Sequence, residues 1–295
     1  MKPGANLSVI FAFKGGVGDE LLRLGPLLGR SVGRHGVALW TFHPTLYDPS
    51  LICLYALDEI AVPKFPQVRD GTRICFYARS RTNGPYRCQS LEYWARGNDW
   101  TMIDEIFGQP LPTVPLWRGA DELARGLNLS VADYSPAFLR HDEPNNYYLV
   151  NLFGGCDPIK GLTCIESVRA LLTKLAVSLP DTAFLVPVRP NQRSRMCLHN
   201  LPPNIAVQSF EYEDGRLTEI ATGARAIVSV EGGMVHLGCC AGIPTLVLTS
   251  PEWYASVAGV MPGDGYSIAW CDLRRPDVDR TLAKVLPWIV EQRKR

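Results

Sequence analysis

The sequence predicts an α/β protein of two domains, each a parallel β-sheet covered by helices. Short, continuously apolar runs alternate with segments of helical periodicity, the pattern of parallel strands buried on both faces. The alternation occurs twice, interrupted at HDEPNN (141–146), a cluster of polar turn formers. The length, 295 residues, suits two domains of ordinary size. Two such series imply two Rossmann-like domains.

In the first series SVIFAF (8–13) reads as a strand, followed by a helix from Asp19. VALWT (37–41), EIAVP (59–63) and RICFYA (73–78) read as further strands, and helices are expected near 100–107 and 119–126. The second series opens with YYLVNL (147–152) and a helix carrying Ile165, Val168, Leu171, Leu172 and Leu175 at helical spacing. Thr163 and Glu166 give that helix a capping-box start. AFLVPV (183–188) and IAVQ (205–208) are strands, and DGRLTEIATGA a short helix. AIVSV (226–230) is a strand, GMVHLGCCAG a helix, and PTLVL (244–248) and SIAWC (267–271) the last strands. A final helix carries Val278, Leu282, Val285, Leu286 and Ile289 on one stripe. The expected domains are 1–142 and 143–275, with 276–295 as a separate helix.

Composition excludes several classes. Apolar residues make up 46% and charged residues 20%, normal for a folded soluble protein. A net charge of +1 gives no global reason to expect nucleic acid or membrane binding. The nine cysteines form no CxxC pair and no zinc-type spacing, and several lie in apolar runs, which points to a reducing, cytoplasmic compartment. MKPGANLSVIFAF reads as a buried strand rather than a signal peptide, and no apolar stretch approaches the roughly 18 residues of a spanning helix.

Ligands of parallel sheets bind at the carboxyl ends of strands, so three loops hold the candidate chemistry. The first is KGGVGD, Lys14 to Asp19, with Gly15, Gly16 and Gly18. A phosphate-gripping loop would follow its last glycine with Lys and Ser or Thr; Asp19 and Glu20 stand there instead. Asp19 at a helix N-terminus is favoured in its ionised form, would repel a phosphate, and suits a general base. On spacing alone it reads equally as an N-cap. The second loop is NLFGGCDPIKG, where Asn151, Gly154 and Gly155 follow a buried strand and Lys160 stands before a helix, a group able to hold a diphosphate. The third is VEGGMVHLGCCAGIP. Glu231 could accept from ribose hydroxyls, the backbone at Gly232, Gly233 and Met234 could face an anion at a helix start, and His236 serves either structure or function. Ala241 and Gly242 are expected to let this helix pack closely on the sheet.

In their order and spacing these stretches resemble glycosyltransferase family 9, the heptosyltransferase-like enzymes. GGVGDELLRLGPLL is similar to the family's N-terminal glycine-then-Asp loop. VNLFGG…IKG…VRALLTKL is similar to its strand, glycine turn, Lys and helix. RLTEIATGARAIVSVEGGMVHLGCCAGIPTLVL is similar to its block D-S/T-G-x-x-H-x-A-A-A-x-G-x-P, keeping the register of Gly233, His236, Gly242 and Pro244.

The resemblance implies a GT-B fold: two Rossmann-like domains facing a cleft, with a C-terminal helix returning to the first. It implies inverting, metal-independent transfer from a nucleotide-diphosphate sugar, with no further cofactor. Asp19 would be the catalytic base. Gly18, Asn151, Gly154, Lys160, Glu231, Gly232, Gly233, Met234 and His236 would bind the donor. The expected setting is bacterial surface polysaccharide or lipopolysaccharide synthesis, cytoplasmic or peripheral at the inner face of the cytoplasmic membrane. The acceptor would be a glycan or glycolipid, with no nucleic acid partner. The stretch 79–96, with Arg79 and Arg81, and Lys14 in the first loop would suit an anionic acceptor.

Three features depart from the family: Glu231 for Asp, Gly232 for Ser or Thr, and RPNQR (189–193) for a glycine turn. They leave the sugar and the base open. The alternatives are a sugar-nucleotide epimerase of GT-B type and a degenerate nucleotide-binding module without turnover.

Overall fold

A computed structural model describes residues 7–13, 36–41, 44–47, 53–56, 73–77, 101–102, 145–153, 164–188, 198, 200–210, 216–251 and 266–294. The chain divides into two compact units at Arg140/His141.

The first unit contains a five-stranded parallel sheet of β1 (Leu7–Phe13), β2 (Gly36–Thr41), β3 (Cys53–Ala56), β4 (Arg73–Tyr77) and β5 (Thr101–Met102), in the order β3-β2-β1-β4-β5. A 3-10 turn at Pro44–Leu46 follows β2, with Leu46 and Tyr47 buried. Strand β1 is central, in parallel register with β2 (Phe13 opposite Thr41) and with β4 (Phe13 opposite Tyr77). The helix expected at 100–107 is corrected at its start: Thr101 and Met102 are a strand paired with Cys75 and Phe76. Two residues of edge pairing leave no periodicity to read, so the flanking helical pattern decided the expectation wrongly. Strand β3 was not anticipated. The strand expected at 59–63 and the helices expected after Asp19 and at 119–126 lie outside the described residues.

The second unit holds a six-stranded parallel sheet, ordered β11-β10-β9-β6-β7-β8. Its strands are β6 (Tyr147–Asn151), β7 (Ala183–Val188), β8 (Ile205–Ser209), β9 (Ala226–Val230), β10 (Thr245–Thr249) and β11 (Tyr266–Trp270). The described helices are α1 (Ile165–Ser178), α2 (Arg216–Thr222), α3 (Gly233–Cys240) and α4 (Val278–Arg293). Every residue of β9 and β10 is buried, as continuous apolar runs require of central parallel strands. Val168, Leu171, Leu172 and Leu175 of α1 pack with Val285 and Ile289 of α4 and with Val150, Val186, Val228 and Leu248 of the sheet in one core. Fully burying a Leu or Ile side chain stabilises by about 1.5–3 kcal/mol, so this layer dominates the unit's cohesion.

Val285 and Ile289 on the apolar stripe of α4 pack into the core of the second unit. Two expectations change here. The N-cap of α1 is Cys164, without a side-chain cap bond, and its Sγ donates to the Glu166 carboxylate at 3.3 Å. The helix therefore begins one residue later than the Thr163 capping box required; Thr163 lies outside the described residues. The close approach of α3 to the sheet is made by Gly238, where a Cβ would fall 2.5 Å from Thr245 Oγ1 and 2.7 Å from Ile227 Cδ1. Gly242 instead ends the helix, with φ +70, the left-handed position that glycine favours. Ala241 is buried beside it.

Candidate functional site

The second sheet reverses its winding between β6 and β9, and at such a switch point the connections leave in opposite directions and open a crevice. Three described pieces meet there: the end of β6 at Asn151, the end of β9 at Val230, and the start of α3 at Gly233. The two strand ends are tied by side chains. Asn151 Nδ2 donates to Ser229 Oγ at 3.1 Å, and Ser229 Oγ donates to the Val230 carbonyl at 2.7 Å. Ser229 is fully buried, so this chain of bonds is shielded from water and holds the half-buried Asn151 amide in place. Sequence reasoning did not single out Ser229; a lone polar residue inside an apolar strand was the available signal.

After Val230 the chain turns through Glu231 and Gly232 into α3. Gly232 is the N-cap, with φ +156 and ψ −170, a conformation that side-chain-bearing residues rarely adopt. A Cβ on Gly232 would meet nothing within 4 Å, so open space lies beside this backbone. No side chain caps the helix; Val235 N donates to the Gly232 carbonyl at 3.0 Å, and His236 N does so at 3.4 Å. The amides of Gly233 and Met234 stand at positions where a helix offers no acceptor of its own. With the positive end of the helix dipole, this is a turn prepared for an anion.

Glu231 and His236 lie behind it. Both are buried, and His236 Nε2 stands 3.5 Å from Glu231 Oε1. The five-residue separation carries the pair from the turn to the first full turn of α3. His236 Nδ1 is buried without a hydrogen-bond partner among the described residues. A buried polar atom left unpaired costs about 1–3 kcal/mol, so an unpaired imidazole nitrogen beside an anion-ready turn is a candidate ligand contact.

Asn151, Glu231, Gly232, Gly233, Met234 and His236 are thus gathered on neighbouring elements. Met234 is buried and contributes its backbone. Lys14, Gly18, Asp19, Arg79, Arg81, Gly154 and Lys160 lie outside the described residues, as do RPNQR (189–193) and the glycine turn after Phe153. Among the described residues no group of three or more His, Cys, Asp or Glu side chains could hold a metal ion. Cys164, Cys239 and Cys271 are free thiols. Burial pushes Cys239 up to about 12 and Cys271 up to about 11, so neither is a ready nucleophile.

No family model matches the chain, and no curated protein matches it by sequence. Solved structures do match. The E. coli heptosyltransferase WaaC with ADP is 14% identical, covers 96% of this chain and 99% of its own, and superposes with a TM-score of 0.63. A glycosyltransferase of family 9 from Veillonella parvula is 10% identical over 89% of this chain and 85% of its own, at 0.62. The chain has a heptosyltransferase-like fold. Both neighbours are glycosyltransferases. A putative UDP-N-acetylglucosamine 2-epimerase from Listeria monocytogenes is more distant, 11% identical over 98% of this chain and 89% of its own, at 0.51. No helix among the described residues is long and apolar enough to cross a membrane.

Proposed function

We propose that this protein is an inverting, metal-independent glycosyltransferase. It moves a sugar from a nucleotide-diphosphate donor to a hydroxyl of a glycan or glycolipid acceptor in bacterial surface polysaccharide synthesis. The supporting observation is the switch-point assembly of the second unit: Asn151 tied to Ser229, the open turn at Gly232, and the start of α3 with the Glu231–His236 pair behind it.

In this reading the diphosphate lies against Gly232 and the amides of Gly233 and Met234, with Lys160 as its cationic partner. His236 Nδ1 bonds the donor, and Glu231 holds the opposite nitrogen of the ring. Asp19 accepts the acceptor hydroxyl's proton. The hydroxyl oxygen attacks the anomeric carbon from the face opposite the leaving group. The bond from that carbon to the diphosphate oxygen breaks, and its electron pair leaves with the nucleoside diphosphate, inverting the anomeric centre. Backbone amides that stabilise the departing charge need no reorganisation, and this supplies electrostatic catalysis. ADP is the first nucleotide to test, since the similar WaaC structure is one with ADP.

A thermal-shift panel of ADP, UDP, GDP, dTDP and CMP tests the reading. One nucleotide at about 100 times its dissociation constant should stabilise by roughly 2.7 kcal/mol. No shift with any of them would count against a donor site and favour a degenerate module, for which the missing hydroxyl at Gly232 is the motivating observation. The epimerase neighbour motivates the other reading. NMR of donor plus enzyme without acceptor separates it, because an epimerase changes donor stereochemistry and a transferase does not.

A further inference from the structure

A cavity of about 700 Å³ opens at the carboxyl ends of β10 and β11, between them and the start of α4. Its lining shares no described residue with the assembly around Glu231. Buried Leu273 and Thr281 line part of it, and its charged lining is predominantly cationic. Arg274 and Arg275 follow β11, while Arg280 and Lys284 come from the first turns of α4. Lys284 Nζ donates to the Trp270 carbonyl and pins the helix to the strand end.

Two carboxylates border the same space, and neither neutralises a guanidinium by direct contact. Asp272 Oδ1 accepts from the backbone amides of Arg274 (2.8 Å) and Arg275 (3.1 Å), and Asp277 Oδ1 accepts from that of Arg280 (3.0 Å). Those amides hold the Asp272 carboxyl below its ordinary range. Each carboxylate keeps a second oxygen for other donors. The side chains of Arg274, Arg275 and Arg280 make no hydrogen bond or ion pair among the described residues. Beside them Trp270, 41% exposed, lines the same cavity.

We propose that this cavity is a second ligand site, specific for a phosphorylated sugar. The guanidiniums of Arg274, Arg275 and Arg280 take the phosphate, for which a planar fork of donors is well matched. The indole of Trp270 offers an apolar face to the sugar ring. The second oxygens of Asp272 and Asp277 accept from ring hydroxyls, an acceptor set a sugar satisfies and a bare phosphate does not. The described lining has no Asn or Gln amide to read a nucleobase edge, which separates this site in kind from the donor site. The phosphosugar could be a free metabolite or part of a glycan or lipid headgroup; the recognising chemistry is the same.

The test is calorimetric titration of the full-length protein with glucose 6-phosphate, glucose and inorganic phosphate. Arg274→Gln/Arg275→Gln/Arg280→Gln and Trp270→Ala are titrated alongside, with circular dichroism confirming that each is folded. Glucose 6-phosphate is expected to bind in the millimolar range, at least about tenfold tighter than either glucose or phosphate, and to weaken with added salt. The triple arginine variant should lose about tenfold or more of that affinity. Trp270→Ala should weaken glucose 6-phosphate while leaving phosphate unchanged, and it tests the site even if the triple variant does not fold. Nucleotide stabilisation at the donor site should be the same in all variants, so failure there is distinguishable from failure here. Undiminished binding in the folded triple variant, no binding of glucose 6-phosphate, or equal affinity for phosphate would overturn the proposal. So would arginine-dependent binding to phosphatidylglycerol vesicles without binding of any soluble phosphosugar, which would make the surface a membrane contact.

Discussion

Counted within each unit, the strands of the first sheet run 3-2-1-4-5, and those of the second run 3-2-1-4-5-6. Both are parallel, and both reverse between their first and fourth strands. The sequence equips those switch points differently. After β1 comes Lys14 to Asp19, which sets a carboxylate where a phosphate loop would carry a cation. After β9 comes a glycine turn into α3, with the carboxylate of Glu231 buried and engaged with His236. Under the proposed function one switch point takes a proton and the other holds an anion, a difference carried by the first few residues of each loop while the sheet fixes where the loop starts.

The sharpest way to break this comparison is to remove the carboxylate after β1. Asp19→Asn should lower transfer by about 10²–10⁴-fold, the range of general-base catalysis, and leave nucleotide stabilisation intact. Retained transfer would sink the assignment of the base, and lost nucleotide binding would show that the division of labour is wrong.

A smaller effect tests how tightly α3 is seated. In Gly238→Ala the new Cβ would press on Thr245 Oγ1 and Ile227 Cδ1, costing about 1–3 kcal/mol of stability in denaturant unfolding. Adding Ile227→Val should recover only part, since the Thr245 contact remains. Full recovery would place the clash at Ile227 alone and remove Thr245 from the account. The smallest effect belongs to the contact between Lys174 of α1 and Asp279 of α4, whose side chains are 46% and 78% exposed. Asp279→Ala should cost no more than about 0.5 kcal/mol, because solvent screens such pairs. A larger loss would mean that α4 is held by charge and not by Val285 and Ile289.

The second unit was largely legible in the sequence because its strands are buried on both faces and read as unbroken apolar runs. AIVSV and PTLVL emerge within a residue of β9 and β10. What escaped depends on contacts between distant residues. Thr101–Met102 is a strand only because Cys75 and Phe76 lie beside it. Gly238 matters through Ile227 and Thr245, whereas nearby Ala241 and Gly242 had the more suggestive spacing. At the site, Gly232, Gly233 and His236 were visible from their register. The bond from Asn151 to Ser229 was not, since it joins residues 78 apart in sequence. Nor was the cavity by Trp270, because SIAWC reads as one more apolar strand and RRPDVDR matches no binding motif.

The turn at Gly232 bears on how this loop could be altered. The family the sequence resembles places Ser or Thr at this position. The backbone stands at φ +156, where a side chain is strained however much room surrounds it. Placing a hydroxyl there would therefore require the loop to move as well as the residue to change, so a Ser or Thr at 232 would alter the shape of the turn before its side chain could meet any ligand.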